Sequence, residues 1–302
     1  MGAVRALVVG SLVMDLSFLV PKRPEPGEVI LAESFGAYRG GKGYNQAVAL
    51  ARLGADVMMI GAVGNDAYGN EFLAALDQEG VDASRMVRLD DEPTSVAVPI
   101  VTPDGDVAFV HAQGANALLS AEHAALLPAA DILLLQGEVP VETSIAFAKA
   151  ARAEGVVVFL NPAPVHHITP ELLALADIVC PNEVEADALL GAPRGSRHDP
   201  VALARTLAEG RHAAVITLGA RGAAYVRDGE EGIATPPRIR AVDATGAGDS
   251  FCAALGLALM EGKPIAEAVR FACAAGAHAA TVRGAEPGLP TRSNVESLLD
   301  RQ

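Results

Sequence analysis

Short, uninterrupted apolar runs, each followed by a longer stretch of helical character, constrain the fold of this chain more than any other feature. The strand candidates are ALVV (Ala6–Val9), VMMI (Val57–Ile60), ILLL (Ile132–Leu135), VVVFL (Val156–Leu160), Ile178–Cys180 and AVIT (Ala214–Thr217). Runs of this length without polar alternation suit strands covered on both faces, as in parallel sheets. Between them lie helical stretches at Tyr44–Leu53, Tyr68–Glu79, Val141–Ala153, Glu183–Leu190 and Pro200–Glu209. After Asp243 the pattern turns helical, with Gly248–Met260, Ile265–Thr281 and Asn294–Arg301. A βαβα succession predicts a layered α/β fold that binds ligands at the carboxyl ends of its strands.

Two segments break the rhythm. Asp15–Arg39 is rich in proline and turn residues and carries no clear helix, while Thr94–His111 reads as two strands around the turn Pro103–Asp104–Gly105. Either they are ordinary surface excursions, or together they form a small β-sheet standing off the main body as a lid. With no internal repeat, low-complexity tract or linker, residues 1–302 read as one domain, with the lid drawn from about 15–39 and 94–111.

Charge and cysteine usage narrow the function. Acidic residues outnumber basic ones, 37 against 23, for a formal net charge of −14. Such a surface repels polyphosphate backbones and argues against nucleic acid as a partner. Three cysteines, Cys180, Cys252 and Cys273, with no CxxC spacing, fit neither a disulfide framework nor a structural zinc and suggest a reducing cytosol. The apolar run before Asp15 is too short for a signal peptide core or a membrane span. A soluble, cytoplasmic protein is expected.

The most informative string is AVDATGAGDSF (Ala241–Phe251), which opens an amphipathic helix. A glycine-rich turn at a helix start leaves backbone N–H groups converging on one spot, and the helix dipole adds partial positive charge there. Gly246 and Gly248 let a phosphoryl group come close, and Asp249 is placed to take a proton from an incoming alcohol. Alternatively, Asp249 only caps the helix. A second string, GGKGYNQA (Gly40–Ala47), pairs two glycines with the donors Lys42 and Asn45, as a polyhydroxylated ligand requires. Asp15, after the first strand, would face the same cleft. No GxxxxGK[ST] phosphate loop is present.

These strings resemble the ribokinase-like (PfkB) carbohydrate kinase family, most closely its ribokinases and deoxyribokinases. The likeness runs from about Ala6 to the C-terminus through GGKGYNQAVA, HAQGANALLS, LNPAP, PNEVEA, ITLGARG and VDATGAGDSF. It implies a three-layer α/β/α sandwich with a small β-sheet lid, and a homodimer clasped through the lids. It also implies an ATP-dependent kinase that phosphorylates a primary hydroxyl of a pentose, ribose or 2-deoxyribose, to give a 5-phosphate. By the resemblance Asp249 is the base, and Gly246, Ala247 and Gly248 form the anion hole. Asp15, Gly41, Lys42, Gly43, Asn45 and Glu138 would hold the sugar. Asn182, Thr217, Gly219, Gly222, Gly248 and Cys273 would surround ATP, with Asn182 and Glu185 in the Mg²⁺ network. Asp243, Thr245, Ala279, Val282, Gly284 and Gly288 fall where the family binds K⁺.

Departures from the family pattern bear on the substrate. Val13 replaces the asparagine of G-S-x-N-x-D, as in deoxyribokinases, which favours a sugar lacking one hydroxyl. Tyr44 stands where a small residue is usual, either filling space or donating a substitute hydrogen bond. Gly288 replaces a frequent serine, and one extra residue lies near Gln113. Another sugar, a sugar acid or a nucleoside remains an alternative substrate. A non-catalytic sugar-binding protein is disfavoured by the intact GAGD, and an NAD-dependent oxidoreductase by the wrong spacing of GAVGNDAYG. His166 and His167 resemble a metal pair, but adjacent loop residues are expected to point apart.

Overall fold

The computed structural model describes residues 2–104, 106–192 and 198–301. From the N-terminus come β1 (Arg5–Val9), β2 (Val13–Leu19), β3 (Ser34–Gly40), α1 (Lys42–Arg52), β4 (Asp56–Ile60), β5 (Ala62–Gly64), α2 (Ala67–Gln78) and β6 (Val87–Leu89). The middle of the chain adds β7 (Val96–Val101), β8 (Val107–Ala112), β9 (Ile132–Leu135), α3 (Val141–Ala153), β10 (Val157–Leu160), α4 (Pro170–Leu175), β11 (Ile178–Val179) and α5 (Glu183–Leu189). Then follow α6 (Pro200–Ala208), β12 (Ala213–Thr217), β13 (Ala223–Arg227), β14 (Glu230–Ala234), α7 (Ala247–Met260), α8 (Ile265–Ala279), α9 (Ala285–Gly288) and α10 (Arg292–Leu299).

The main sheet has the order β14-β13-β12-β11-β10-β9-β1-β4, parallel from β12 to β4 and antiparallel across β12, β13 and β14. All six apolar runs lie in it, and alternate residues serve opposite faces. Ala6 and Val8 pack with residues of α1, α7 and α8, whereas Leu7 and Val9 pack with Phe147, Ala148 and Ala151 of α3. Farther along, Val179, Ala214 and Ile216 meet Ala204 and Leu207 of α6. Burial on both faces explains the lack of polar alternation in the sequence and gives the three-layer α/β/α sandwich. No helix among the described residues is long and apolar enough to cross a membrane.

A second sheet, ordered β3-β2-β7-β8, is built from the two segments that broke the rhythm. Strand β2 runs antiparallel to β3, with Val13 opposite Gly40, and parallel to β7. Strands β7 and β8 pair from Val96↔Ala112 to Val101↔Val107, and the Thr102 amide donates to Asp106 O at 3.0 Å. Gly105 of the expected turn lies outside the described residues. Phe35 and Phe109 of this sheet are 59% and 67% exposed.

Four helix starts differ from the sequence expectation: α2 begins at Ala67 rather than Tyr68, α10 at Arg292 rather than Asn294, and α1 and α7 also begin early. Helix α1 begins at Lys42 rather than Tyr44, with Gly41 as its N-cap at φ +90°. Helix α7 begins at Ala247 after Gly246, whose φ of +77° is left-handed.

The chain order fixes where a ligand crevice opens. From β1 the chain reaches β4 through α1 on one face, whereas α3 carries β9 to β10 on the opposite face. The strand order therefore reverses between β1 and β9, and the segments just beyond their carboxyl ends line a crevice. The central strands are the thermodynamic anchor of that crevice. Leu134→Ala in β9, a fully buried position, is expected to lower unfolding free energy by about 2–5 kcal/mol, as measured by urea denaturation.

Candidate active site

The crevice is framed by Gly10–Ser11 after β1 and Gln136–Glu138 after β9. Helix α1 is pressed against the first of these. A Cβ on Gly43 would lie 2.6 Å from Gly10 C and Ser11 N, so no larger residue fits there. The Tyr44 amide donates to Ser11 O at 2.9 Å. Ser11 Oγ and the Lys42 amide both donate to Glu138 Oε2, the latter at 2.9 Å. Asn116, from the HAQGANALLS string, brackets Leu12: its Nδ2 donates to Leu12 O at 2.8 Å and its Oδ1 accepts from the Leu12 amide at 3.2 Å. That pins the chain entering β2 and with it Val13 and Asp15.

Asp249 comes to the same crevice from the other side. It sits in the first turn of α7, only 7% exposed, and makes no capping bond. The reading of it as a mere cap is thereby corrected. Its Oδ2 accepts from Asn45 Nδ2 at 2.9 Å and its Oδ1 from Gln46 Nε2 at 3.1 Å. A Cβ on Gly248 would meet nothing within 4 Å, so that side of the helix start is open for a ligand. At Gly246 a Cβ would meet Ala285 at 3.2 Å, on top of the positive φ.

Electrostatics bind these groups into one cluster. Burial raises the Asp249 carboxyl above its ordinary range; Lys42 and the amides of Asn45 and Gln46 oppose that shift, and Glu138 adds to it. Burial works against the Lys42 ammonium, yet Asp249, Glu138 and Glu185 outweigh it and hold the amine above its usual range. Asp15 is pushed up to about 7, first by burial and then by the charge of Glu138. Burial also raises Glu185, against the pull of the Asn182 amide and Lys42.

The remaining predicted residues form two neighbouring groups. Asn182 and Glu185 make a capping box at the start of α5, with Asn182 N to Glu185 Oε2 at 2.8 Å and Glu185 N to Asn182 Oδ1 at 2.9 Å. Asn182 bridges to Thr217. Gly219 and Gly222 follow with φ of +59° and +95°, and a Cβ on Gly222 would lie 1.8 Å from Ala234 O. Cys273 of α8 reaches Ala234 O at 3.8 Å, and its thiol is pushed up to about 12 by burial. In the second group, Asp243 Oδ1 accepts from Thr245 N and Oγ1 at 3.0 and 2.6 Å, and Oδ2 from Gly284 N at 2.8 Å. Val282 N donates to Ala279 O at 3.3 Å. A Cβ on Gly288 would lie 2.7 Å from Ala279 O, so this loop has no space for the serine frequent in the family.

Two expectations need settling. Tyr44 is fully buried against Phe72, edge to face at 5.0 Å, and therefore fills space rather than donating to a ligand in the crevice. Beside it Arg39, the residue before Gly40–Gly41, forms a bidentate pair with Glu286 of α9 at 2.6 and 2.8 Å. The rings of His166 and His167 do not point apart: they meet edge to face at 4.2 Å because both lie in one tight turn. His167 Nδ1 is engaged by Gly137 O at 2.7 Å.

Ser11, Gln46, Asn116, Gln136 and Asn161 escaped the sequence reading, although all lie in or beside the strings quoted above. Gln136 and Asn161 each directly follow an apolar strand run, the position from which a parallel sheet presents polar groups to its crevice.

Known proteins resemble the chain over nearly its whole length. The pfkB family carbohydrate kinase profile matches residues 4–292. The chain is 37% identical over 298 residues to the ribokinase of Haemophilus influenzae, covering 97% of each, and 38% identical over 296 residues to that of Bacillus subtilis, covering 97% and 98%. Its fold superposes on Arabidopsis thaliana ribokinase complexed with ribose and ATP with a TM-score of 0.90, at 34% identity and 99% coverage of both chains. Thermotoga maritima ribokinase gives 0.87 at 32% identity, covering 99% of this chain and all of that one. The chain belongs to the pfkB family of carbohydrate kinases, which transfer a phosphoryl group from ATP to a sugar hydroxyl.

Proposed function

We propose that this kinase phosphorylates the primary hydroxyl of a pentose, ribose or 2-deoxyribose, giving the 5-phosphate, with Asp249 as general base. One observation carries the reading: a buried carboxylate at the start of α7, gripped on both oxygens, beside the open face of Gly248. Burial raises its proton affinity toward that of a useful base, and the nearby amides of Ala247 and Gly248 suit the charge on a transferring phosphoryl group. Phosphoryl transfer requires positioning and charge neutralisation more than covalent help. Lys42 lies within the field of Asp249, Glu138 and Glu185, and its ammonium would meet the phosphoryl oxygens.

On the acceptor side, Asp15 and Glu138 offer carboxylates, and Lys42 and Asn45 donors, for sugar hydroxyls. The relatives named above favour ribose. Val13, 4% exposed and fixed through Asn116 and Leu12, favours 2-deoxyribose, because an apolar wall leaves a buried hydroxyl unpaired at a cost of about 1–3 kcal/mol.

Mg²⁺, when bound, would neutralise charge on the transferring phosphate. The donor set fits an ion held mainly by phosphate and water: the capping box uses only Oε2 of Glu185, and no cluster of three or more acidic, His or Cys ligands occurs among the described residues. The Asp243 loop and the segment from Ala279 to Gly288 fit a K⁺ ion held by backbone carbonyls, since the Asp243 oxygens already accept from Thr245 and Gly284. The second sheet is read as the lid over the sugar, within a single domain. Its exposed Phe35 and Phe109 suit a homodimer. We place the protein in the cytoplasm.

Three outcomes test the reading. Asp249→Asn is expected to keep its KM values and lose about 10²–10⁴-fold in kcat, and near-normal turnover would overturn the base assignment. Assayed by ADP release, kcat/KM should favour 2-deoxyribose over ribose, and Val13→Asn should move the preference toward ribose by about 10-fold or more. Because the ionised Asp15 accepts hydroxyls more strongly than the neutral acid and burial raises its pKa to about 7, KM for the sugar should fall as pH rises through that value. In Asp15→Asn this dependence should vanish.

A further inference from the structure

Beneath Asp249 lies a chain of buried side-chain amides that the proposed chemistry does not use. Gln46 Nε2 donates both to Asp249 Oδ1 at 3.1 Å and to Asn161 Oδ1 at 3.2 Å. Gln46 Oε1 accepts from Gln136 Nε2 at 2.7 Å, and Asn161 Nδ2 donates to Cys180 O at 3.0 Å. Gln46 is 0%, Gln136 1% and Asn161 7% exposed.

The polarity of this chain follows from its ends. Cys180 O is a backbone carbonyl and can only accept, so Asn161 must turn its NH₂ toward it and its oxygen toward Gln46. The Asp249 carboxylate likewise accepts. Gln46 thus faces two acceptors and must present its NH₂ to both, which turns Oε1 toward Gln136 and requires the Gln136 NH₂ there. Reversing any one amide would set oxygen against oxygen in a buried site, where an unpaired polar group is costly. Gln136 Oε1 finds no donor and lies where a Cβ on Gly10 would stand, 2.1 Å away. The chain's far end is therefore wedged against the β1 backbone.

We infer that Gln46, Gln136 and Asn161 form a directional amide relay that positions Asp249, keeping an N–H donor, never a carbonyl, aimed at Oδ1. This rests on Asp249 being the base. The relay fixes the carboxylate's rotation, with Oδ1 held by Gln46 and Oδ2 by Asn45. It also stabilises the anion against burial. Other groups that act on Asp249 are Lys42 of α1, Glu138 after β9, Glu185 of α5 and Cys252 of α7. None of them is altered by the variants below.

The test is the pH dependence of kcat/KM for the sugar, from about pH 5 to 9, in wild type, Gln46→Glu and Gln136→Glu, with KM for ATP and thermal stability measured in parallel. In Gln46→Glu a carboxylate replaces the donor, and the acid limb should rise by about one pH unit or more. In Gln136→Glu the new carboxylate cannot donate to Gln46 Oε1. Gln46 should turn about and face Asp249 with its oxygen, so the acid limb rises here too, although residue 136 does not touch Asp249. A packing role alone would lower stability without moving the limb. An acid limb unmoved in both variants, with Asp249→Asn inactive, overturns the relay and leaves the base assignment standing. An active Asp249→Asn removes both. Should Gln46→Glu fail to fold, Gln136→Glu decides alone.

Discussion

The backbones of Gly10 and Gly43 meet so closely that neither can carry a side chain, and the candidate active site depends on that contact. It seats the first turn of α1 directly on the end of β1, at the point where the strand order reverses. Once that turn is seated, the helical period does the rest. Lys42 addresses Glu138 through its amide, while Asn45 and Gln46, a turn farther on, reach the two oxygens of Asp249 on α7. Two helices far apart in sequence are thereby registered against each other through a single carboxylate.

The charge arrangement is unusual for a centre that handles phosphate. Glu138, Glu185 and Asp249 gather around one ammonium, Lys42, and Asp15 stands in the field of Glu138. An acidic lining suits a neutral polyol, whose hydroxyls are donors, and it is hostile to polyanions. In the proposed reading the anion would be served by backbone amides at the start of α7, where the Gly246 turn and the open side of Gly248 allow close approach. On that reading, hydroxyl recognition falls to side chains and phosphate recognition largely to the main chain, aided by Lys42, which would let both occur in a protein of net charge −14.

The doubly buried strands were legible in the sequence because parallel strands leave no polar alternation: ILLL and Val141–Ala153 match β9 and α3 residue for residue. The antiparallel pair β13–β14 was not, since Ala223–Ala224 and Gly232 carry little strand preference and gain their place by pairing with β12. The start of α1 was read two residues late because Lys42 and Gly43 look like loop residues. Only the approach of Gly10 shows why a glycine belongs inside that helix. Asp249 stood out from its glycine-rich setting, but Gln46 and the amides behind it, Gln136 and Asn161, are ordinary amides in sequence. Their meaning lies in a convergence across two strand ends and one helix that no local pattern encodes. The positions of His166 and His167 were misjudged for a related reason: a tight turn can stack neighbours that an open loop would separate.

The pair between Arg39 and Glu286 has a mechanical side. It fastens the foot of β3, one residue before Gly40, to α9, next to the loop that Asp243 holds through the Gly284 amide. With 30% and 13% of their side chains exposed, the two partners are sheltered enough to make this a firm joint. A sheet clamped at its base is restrained most firmly there and least at its far end, near Phe18 and Phe35. The same clamp ties the turn that feeds Lys42 to the segment beside the Asp243 loop, so neither can be repacked without the other.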